Sequence, residues 1–296
     1  MILVTGANGL VGSQLCRELA DRSVPVRALV RRPGTAPDLP GVAEVVGNFD
    51  DPDQAPGFVA HVDAVVTTVA PMGADYETQH RVTVEGTRTL ATAAIDAGVD
   101  RLVHVSTTAV YALTPGLGDA DESAPYVDDD ASPYAMTKRD ADLALADLAG
   151  ITRILARPPA ILGPGDTSVW NTLRPARFAQ DPSALQPNPD ATFAWVHVTD
   201  LARFLADAAI NGLAPGPAQG EVTAVNVAAD DATWGDYLGG VASALGIEPT
   251  WSDEPAWTGQ LLSGRARSWG WSPHTTFDDA MSELVHGLTA ADTSHG

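Results

Sequence analysis

The chain has 296 residues, 45% of them apolar, enough for one large core or two modest ones. A net charge of −21 argues against a nucleic acid or an acidic membrane surface as partner, because both need Lys and Arg to meet phosphate. A single cysteine, Cys16, leaves no internal disulfide, and no apolar run is long enough to cross a bilayer.

The chain opens on "MILVTG" (1–6), a strand entering a turn, so no leader is expected and the location is expected to be cytoplasmic. "ILVT" (2–5), "VRALV" (26–30), "AEVVG" (43–47), "DAVVTTV" (63–69), "RLVHVS" (101–106) and "TRILARP" (152–158) read as buried strands. Helical patterns lie between them at about 10–22, 75–97 and 134–149, which implies a parallel sheet covered on both faces. After residue 160 the pattern loosens into turn-rich loops. A strand-like run (192–198), a helix (199–210), a strand (221–228), a helix near 233–245 and a last helix near 277–288 complete it. All seven tryptophans lie in this second part. They either stabilise it by themselves or also line an apolar substrate pocket between the two parts.

Three glycines, Gly6, Gly9 and Gly12, follow the first strand and open the first helix. Such spacing allows a tight turn, close approach of backbone to a pyrophosphate, and close helix–sheet packing. With Asn8, Leu10 and Val11 it forms the candidate dinucleotide turn. The second strand ends at Val30, followed by Arg31 and Arg32 where an NAD site usually carries an acid. Two guanidiniums suit a 2′-phosphate, which favours NADP with NAD as the alternative. Asn48 and Phe49 end the third strand, where a polar side chain could bond the adenine amino group.

Tyr134 and Lys138 stand four apart on a helix whose start is marked by Ser132 and Pro133. Lys138 is the only lysine; the other sixteen basic residues are arginines. An ammonium beside a phenol is expected to lower its pKa from about 10. Lysine also brings a compact donor on a flexible stem, which arginine does not. Ser106, Thr107 and Thr108 follow the fifth strand, at the sheet end where ligands bind, and one of them could hold a substrate oxygen.

These segments, with "VEGT" (84–87), "RPPAILGPGD" (157–166), "WVHVTDLA" (195–202) and "GWSPHTTFDDAM" (270–281), resemble the extended short-chain dehydrogenase/reductase family. It is also called the NAD-dependent epimerase/dehydratase family. The resemblance implies an α/β fold: a Rossmann-type doubly wound parallel sheet with a smaller C-terminal α/β substrate domain. The first domain would take 1–160, with 192–212 and 221–230 returning to it, and 161–296 would mainly bind substrate. The resemblance selects Thr107 as the catalytic hydroxyl, Tyr134 as acid/base and Lys138 as its partner. It places Val69, Ala70, Pro71, Val105, Ser106, Pro158, Ala160 and Ile161 beside the cofactor. No metal is implied. Thr108 and Ala109 stand where dehydratases of the family carry an Asp–Glu pair, which disfavours dehydration.

The reading is an NADP-dependent oxidoreductase interconverting a carbonyl and an alcohol on a small, apolar or aromatic substrate. The alternatives are a nucleotide-sugar epimerase with tightly held NAD, and a non-enzymatic cofactor sensor on the same fold. Loops 71–80, 112–131 and 164–192 are expected to shape the substrate site. The helices near 75–97 and 134–149 could pair two copies into a homodimer.

Overall fold

The computed structural model describes residues 1–71 and 73–293. Short β-branched runs form strands β1 (Ile2–Thr5), β2 (Val26–Val30), β3 (Val42–Val46), β4 (Ala64–Thr67), β5 (Arg101–Val105) and β6 (Thr152–Arg157). Smaller strands follow: β7 (Ala160–Leu162), β8 (Thr192–Phe193), β9 (Trp195–His197), β10 (Val222–Asn226) and β11 (Ala232–Thr233). Seven of them make one sheet in the order β10-β6-β5-β4-β1-β2-β3, every neighbouring pair parallel. In β1, β4 and β6 every residue is buried, because helices cover both faces; β3, at the edge, is largely exposed.

The helices are α1 (Leu10–Asp21), α2 (Ala55–Val59), α3 (Tyr76–His80), α4 (Thr87–Asp96), α5 (Pro133–Ala146), α6 (Arg174–Gln180), α7 (Val198–Ala209), α8 (Trp234–Leu245), α9 (Gly264–Ser268) and α10 (Phe277–Thr293). Helix α7 packs against α1 and, with one face of the sheet, buries Leu15, Leu19, Val66, Leu201, Phe204 and Leu205. The opposite face buries Phe58, Leu90, Leu102, Leu145 and Leu155. The long helix read over 75–97 is instead α3, a π-helical turn at Arg81–Gly86, and α4. Such a widened turn recurs at functional sites, and here it packs on α5.

The strand read over 192–198 is two short strands with different partners. β8 pairs antiparallel with β11, and β9 pairs in parallel with β7. Phe193, on β8, stacks on Tyr237 with ring centroids 4.3 Å apart and meets Trp170 and Trp234 edge-on. Trp195 and Phe277 close this aromatic core, over which α8 and α10 pack, and Trp251 lies against it. Trp269 and Trp271 instead join the core under α7, and Trp257 a small cluster with Tyr111 and Leu261. Packing against these cores accounts for all seven tryptophans. Among the described residues no helix is long and apolar enough to cross a membrane.

Candidate active site

The order reversal in the sheet falls between β1 and β4, and the glycine turn sits there, just past the carboxyl end of β1. Gly6 has φ +63°, and a Cβ on it would lie 2.9 Å from Thr68 Oγ1 and 3.1 Å from Val69. A Cβ on Gly12 would lie 2.2 Å from the Gly6 carbonyl oxygen, so this glycine lets α1 seat on the turn. Gly9 differs: a Cβ there would meet nothing closer than 3.4 Å, so the protein's own packing does not demand glycine. Gly9 is also the N-cap of α1, with no side-chain cap bond, and no acid stands in the helix's first turn. An open backbone at an uncapped, positive helix end fits a cofactor diphosphate. Asn8, Leu10 and Val11 lie on this turn, the first exposed and the other two half-buried.

The adenosine end is less uniform. Arg31 and Arg32 are exposed just past β2, with no side-chain partner among the described residues. The loop carrying them is held by Glu44 of β3, whose carboxylate accepts from the backbone N–H groups of Gly34, Thr35 and Ala36. Those bonds hold the Glu44 carboxyl below its ordinary pKa. Asn48 is exposed, but Phe49 turns its ring into the core, 6% exposed. Both lie beyond β3, which ends at Val46. Val69, Ala70 and Pro71 are half-buried past β4, with Val69 against Gly6. Met72, in the loop 71–80 expected to shape the site, lies outside the described residues, as do residues 294–296.

Ser132 caps α5 by accepting from Ala135 N, and Pro133 takes the first turn. This start sets Tyr134 half-buried and Lys138 buried one turn on. Lys138 Nζ donates to the Val105 carbonyl at 2.7 Å, at the end of β5. Thr107, two residues further, caps a 3₁₀ turn by accepting from Ala109 N at 3.1 Å. Thr108 N donates to the Pro158 carbonyl, which brings the hydroxyl segment beside Pro158, Ala160 and Ile161. Thr107, Tyr134, Lys138, Val105 and this stretch therefore gather at the carboxyl ends of β5 and β6. Ser106, at the end of β5, is 2% exposed and its hydroxyl is buried.

Electrostatics correct one expectation. Burial pushes the Tyr134 phenol above its ordinary pKa, with the Thr107 hydroxyl opposing it, so the phenol is not lowered. Lys138 spends its reach on the Val105 carbonyl. Burial takes the Lys138 ammonium down to about 8, with Asp142 opposing, so it still carries its proton at neutral pH. His104, bonded through Nδ1 to Thr67 Oγ1 at 2.7 Å, is held neutral by burial and by the Lys138 charge.

Sequence reasoning missed what stands behind this group. Asp142 continues the face of Tyr134 and Lys138 at spacing i, i+4, i+8, and is 1% exposed. Its Oδ2 accepts from Arg157 Nε at 2.9 Å. Arg157, 2% exposed at the end of β6, also donates to Tyr111 Oη and Tyr126 Oη and lies over both rings. Tyr111 Oη donates to Asn226 Oδ1 at the end of β10. The i+8 spacing was a visible signal; the partner strand was not. Two surface cavities lie elsewhere, one lined by Asp231, Asp236, Phe277 and Met281, the other by Met1, Asp63, Arg101 and Pro215. Neither includes a residue of this site.

The sequence model of the NAD-dependent epimerase/dehydratase family matches residues 2–222. A 2-alkyl-3-oxoalkanoate reductase of Stenotrophomonas maltophilia is 37% identical over 171 residues, covering 56% of this chain and 52% of the relative. A ceramide reductase of Caulobacter vibrioides is 30% identical over 253 residues, covering 84% and 72%. The chain spans about half the length of the first curated relatives it matches. Among solved structures, a Thermus thermophilus UDP-glucose 4-epimerase in complex with NAD superposes with a TM-score of 0.73 at 22% identity, covering 98% of this chain and 99% of that one. At that identity the likeness speaks to the fold.

Proposed function

The chain belongs to the NAD-dependent epimerase/dehydratase family, and from that premise we propose that it is a carbonyl reductase of small, apolar or aromatic ketones. The observation that carries it is the gathering of the Tyr134 phenol, the Thr107 hydroxyl and the Lys138 ammonium at the carboxyl ends of β5 and β6. A protonated phenol is the form that acts as a general acid on a carbonyl oxygen. A bound nicotinamide dinucleotide supplies the hydride. Thr107 Oγ1 holds the substrate oxygen by donating to it. Tyr134 Oη passes its proton to that oxygen as the carbonyl carbon is reduced, and the phenolate left behind regains a proton from solvent. The Lys138 ammonium stabilises that phenolate, one helical turn away.

The reductases named above support this reading of the reaction class. Arg31 and Arg32 support NADPH over NADH, since both guanidiniums are free to take a 2′-phosphate. The part of the chain after residue 160 is proposed to shape the substrate site, with the loops 112–131 and 164–192. Exposed Tyr76 and Leu143, on the two helices expected to pair copies, support a homodimer, which light scattering tests. The reaction is tested by loss of NADPH absorbance across a panel of aromatic and aliphatic ketones. Turnover with at least one ketone, and a KM for NADPH at least tenfold below that for NADH, is expected. Turnover of no ketone, with one NAD retained per chain through purification, would instead make it an epimerase. Loss of the NADPH preference in Arg31→Ala/Arg32→Ala checks the cofactor reading.

A further inference from the structure

Three buried charges run in a row behind Tyr134. Lys138 on α5 is 2% exposed, Asp142 one turn on is 1% exposed, and Arg157 on β6 is 2% exposed. The carboxylate sits between two cations and is paired by geometry with only one of them, through Oδ2 to Arg157 Nε. Its Oδ1 makes no well-formed hydrogen bond, although the Ser106 hydroxyl at the end of β5 lies near enough to help hold the carboxyl down. A carboxylate this deep costs several kcal/mol unless cations compensate it.

We propose that Asp142 is a positioning residue, whose charge, fixed by Arg157, keeps the Lys138 ammonium charged and seated for the chemistry of Tyr134. This rests on the reductase reading above. Without the carboxylate, Lys138 and Arg157 would face one another as two buried cations, and Lys138 is the one that can shed its proton. The electrostatics agree in sign: Asp142 raises the Lys138 pKa against burial, and burial of Asp142 is opposed first by Arg157, then by the Ser106 hydroxyl and by Lys138. The other groups facing this row do not substitute for it. His104, from β5, is neutral, and Ser106 does not ionise. Tyr111 and Tyr126, from the loop before α5, bind Arg157 through their hydroxyls. The buried polar residues contributed by the helical segment 76–96 are Gln79, Thr83 and Thr87, all uncharged.

The chain itself makes the test direct. Lys138 is the only lysine, so protein grown with [ε-¹³C]lysine gives one side-chain NMR signal whose titration reads this ammonium alone. In Asp142→Asn the midpoint should fall by more than one pH unit, and in Asp142→Glu it should stay within half a unit. Arg157→Gln, which takes away the partner that fixes the Asp142 charge, should move it downward as well, and keeps the proposal testable if Asp142→Asn does not fold. The alkaline limb of kcat/KM for ketone reduction should move down with the Asp142→Asn midpoint, so that activity lost at pH 8 largely returns at pH 6. A midpoint that stays put in Asp142→Asn or Arg157→Gln, or an activity loss uniform across pH, overturns the proposal. Full activity in Tyr134→Phe would instead remove the reductase reading, and the NMR titration does not depend on that outcome.

Discussion

Around α5 the protein buries Lys138, Asp142 and Arg157, each at most 2% exposed; in its C-terminal region it buries Phe193, Trp195 and Tyr237 to the same depth. The two regions are equally dry and oppositely made. The first holds charges out of water, which costs stability and gives a phenol and an ammonium with shifted proton affinities. The second stacks rings face-to-face and edge-on, which adds stability, and its charge is the Arg174 guanidinium laid over the Trp170 ring. The comparison teaches that depth of burial alone does not separate a site from a core. Nor does a shifted proton affinity, since burial raises the Tyr237 phenol of the aromatic core too; the difference lies in a row of buried ions, Lys138, Asp142 and Arg157, against stacked rings.

Substitutions should separate the regions by readout. Phe193→Ala should have the largest effect on stability, a loss of about 3–5 kcal/mol from the emptied aromatic core. Thermal unfolding checks it, and the folded fraction should keep its kcat. Lys138→Met should do the reverse. Activity should fall roughly a hundredfold or more, while stability at pH 7 rises by about 2 kcal/mol: ~3 kcal/mol of relieved burial less ~1 kcal/mol for the lost bond to Val105. The sign follows from proton counts. The folded ammonium titrates near 8 and the unfolded one near 10.5, so between them the unfolded chain binds more protons. Wild-type stability therefore rises through that window, and the advantage of Lys138→Met should be full below pH 8 and reversed by pH 10.5, where only the ~1 kcal/mol lost bond remains. Chemical denaturation at several pH values measures this.

One acid sharpens the contrast from the C-terminal side. Burial raises the Asp231 carboxyl to about 6, although its Oδ2 accepts from Leu261 N at 2.7 Å. The folded state then binds more protons than the unfolded one between about 3.8 and 6, and stability falls as pH rises through that range. Asp231→Asn should stabilise by about 1–2 kcal/mol at pH 7 and by nothing below pH 4, with no change in kcat. A change in kcat would tie this region to the chemistry.

The parts legible in the sequence are those set by local spacing. Gly6, Gly9 and Gly12 follow a strand at fixed intervals, and Tyr134 and Lys138 share a helix face by period alone. The six strands up to β6 were legible because each is a β-branched run bounded by turn residues. What pairs across the fold was not. Arg157 reaches Asp142 and two tyrosine hydroxyls from loops that no period connects. Phe49 reads as a strand end beside the adenine, yet its ring enters the core because the strand stops at Val46 and the chain turns. The run at 192–198 reads as one strand, and long-range pairing splits it between β11 and β7. The Tyr134 phenol is raised, not lowered, for a related reason: helix spacing shows neither that Lys138 donates to Val105 nor how deeply the phenol is buried.

The account depends most on Tyr134 as the group that delivers the proton. Steady-state ketone reduction by Tyr134→Phe, with NADPH binding followed by tryptophan fluorescence on the same samples, tests it directly. The expected result is a fall in kcat/KM of roughly a thousandfold, with NADPH affinity within about twofold of wild type. A loss of less than about tenfold, with NADPH binding intact, would contradict the assignment of Tyr134 as the acid.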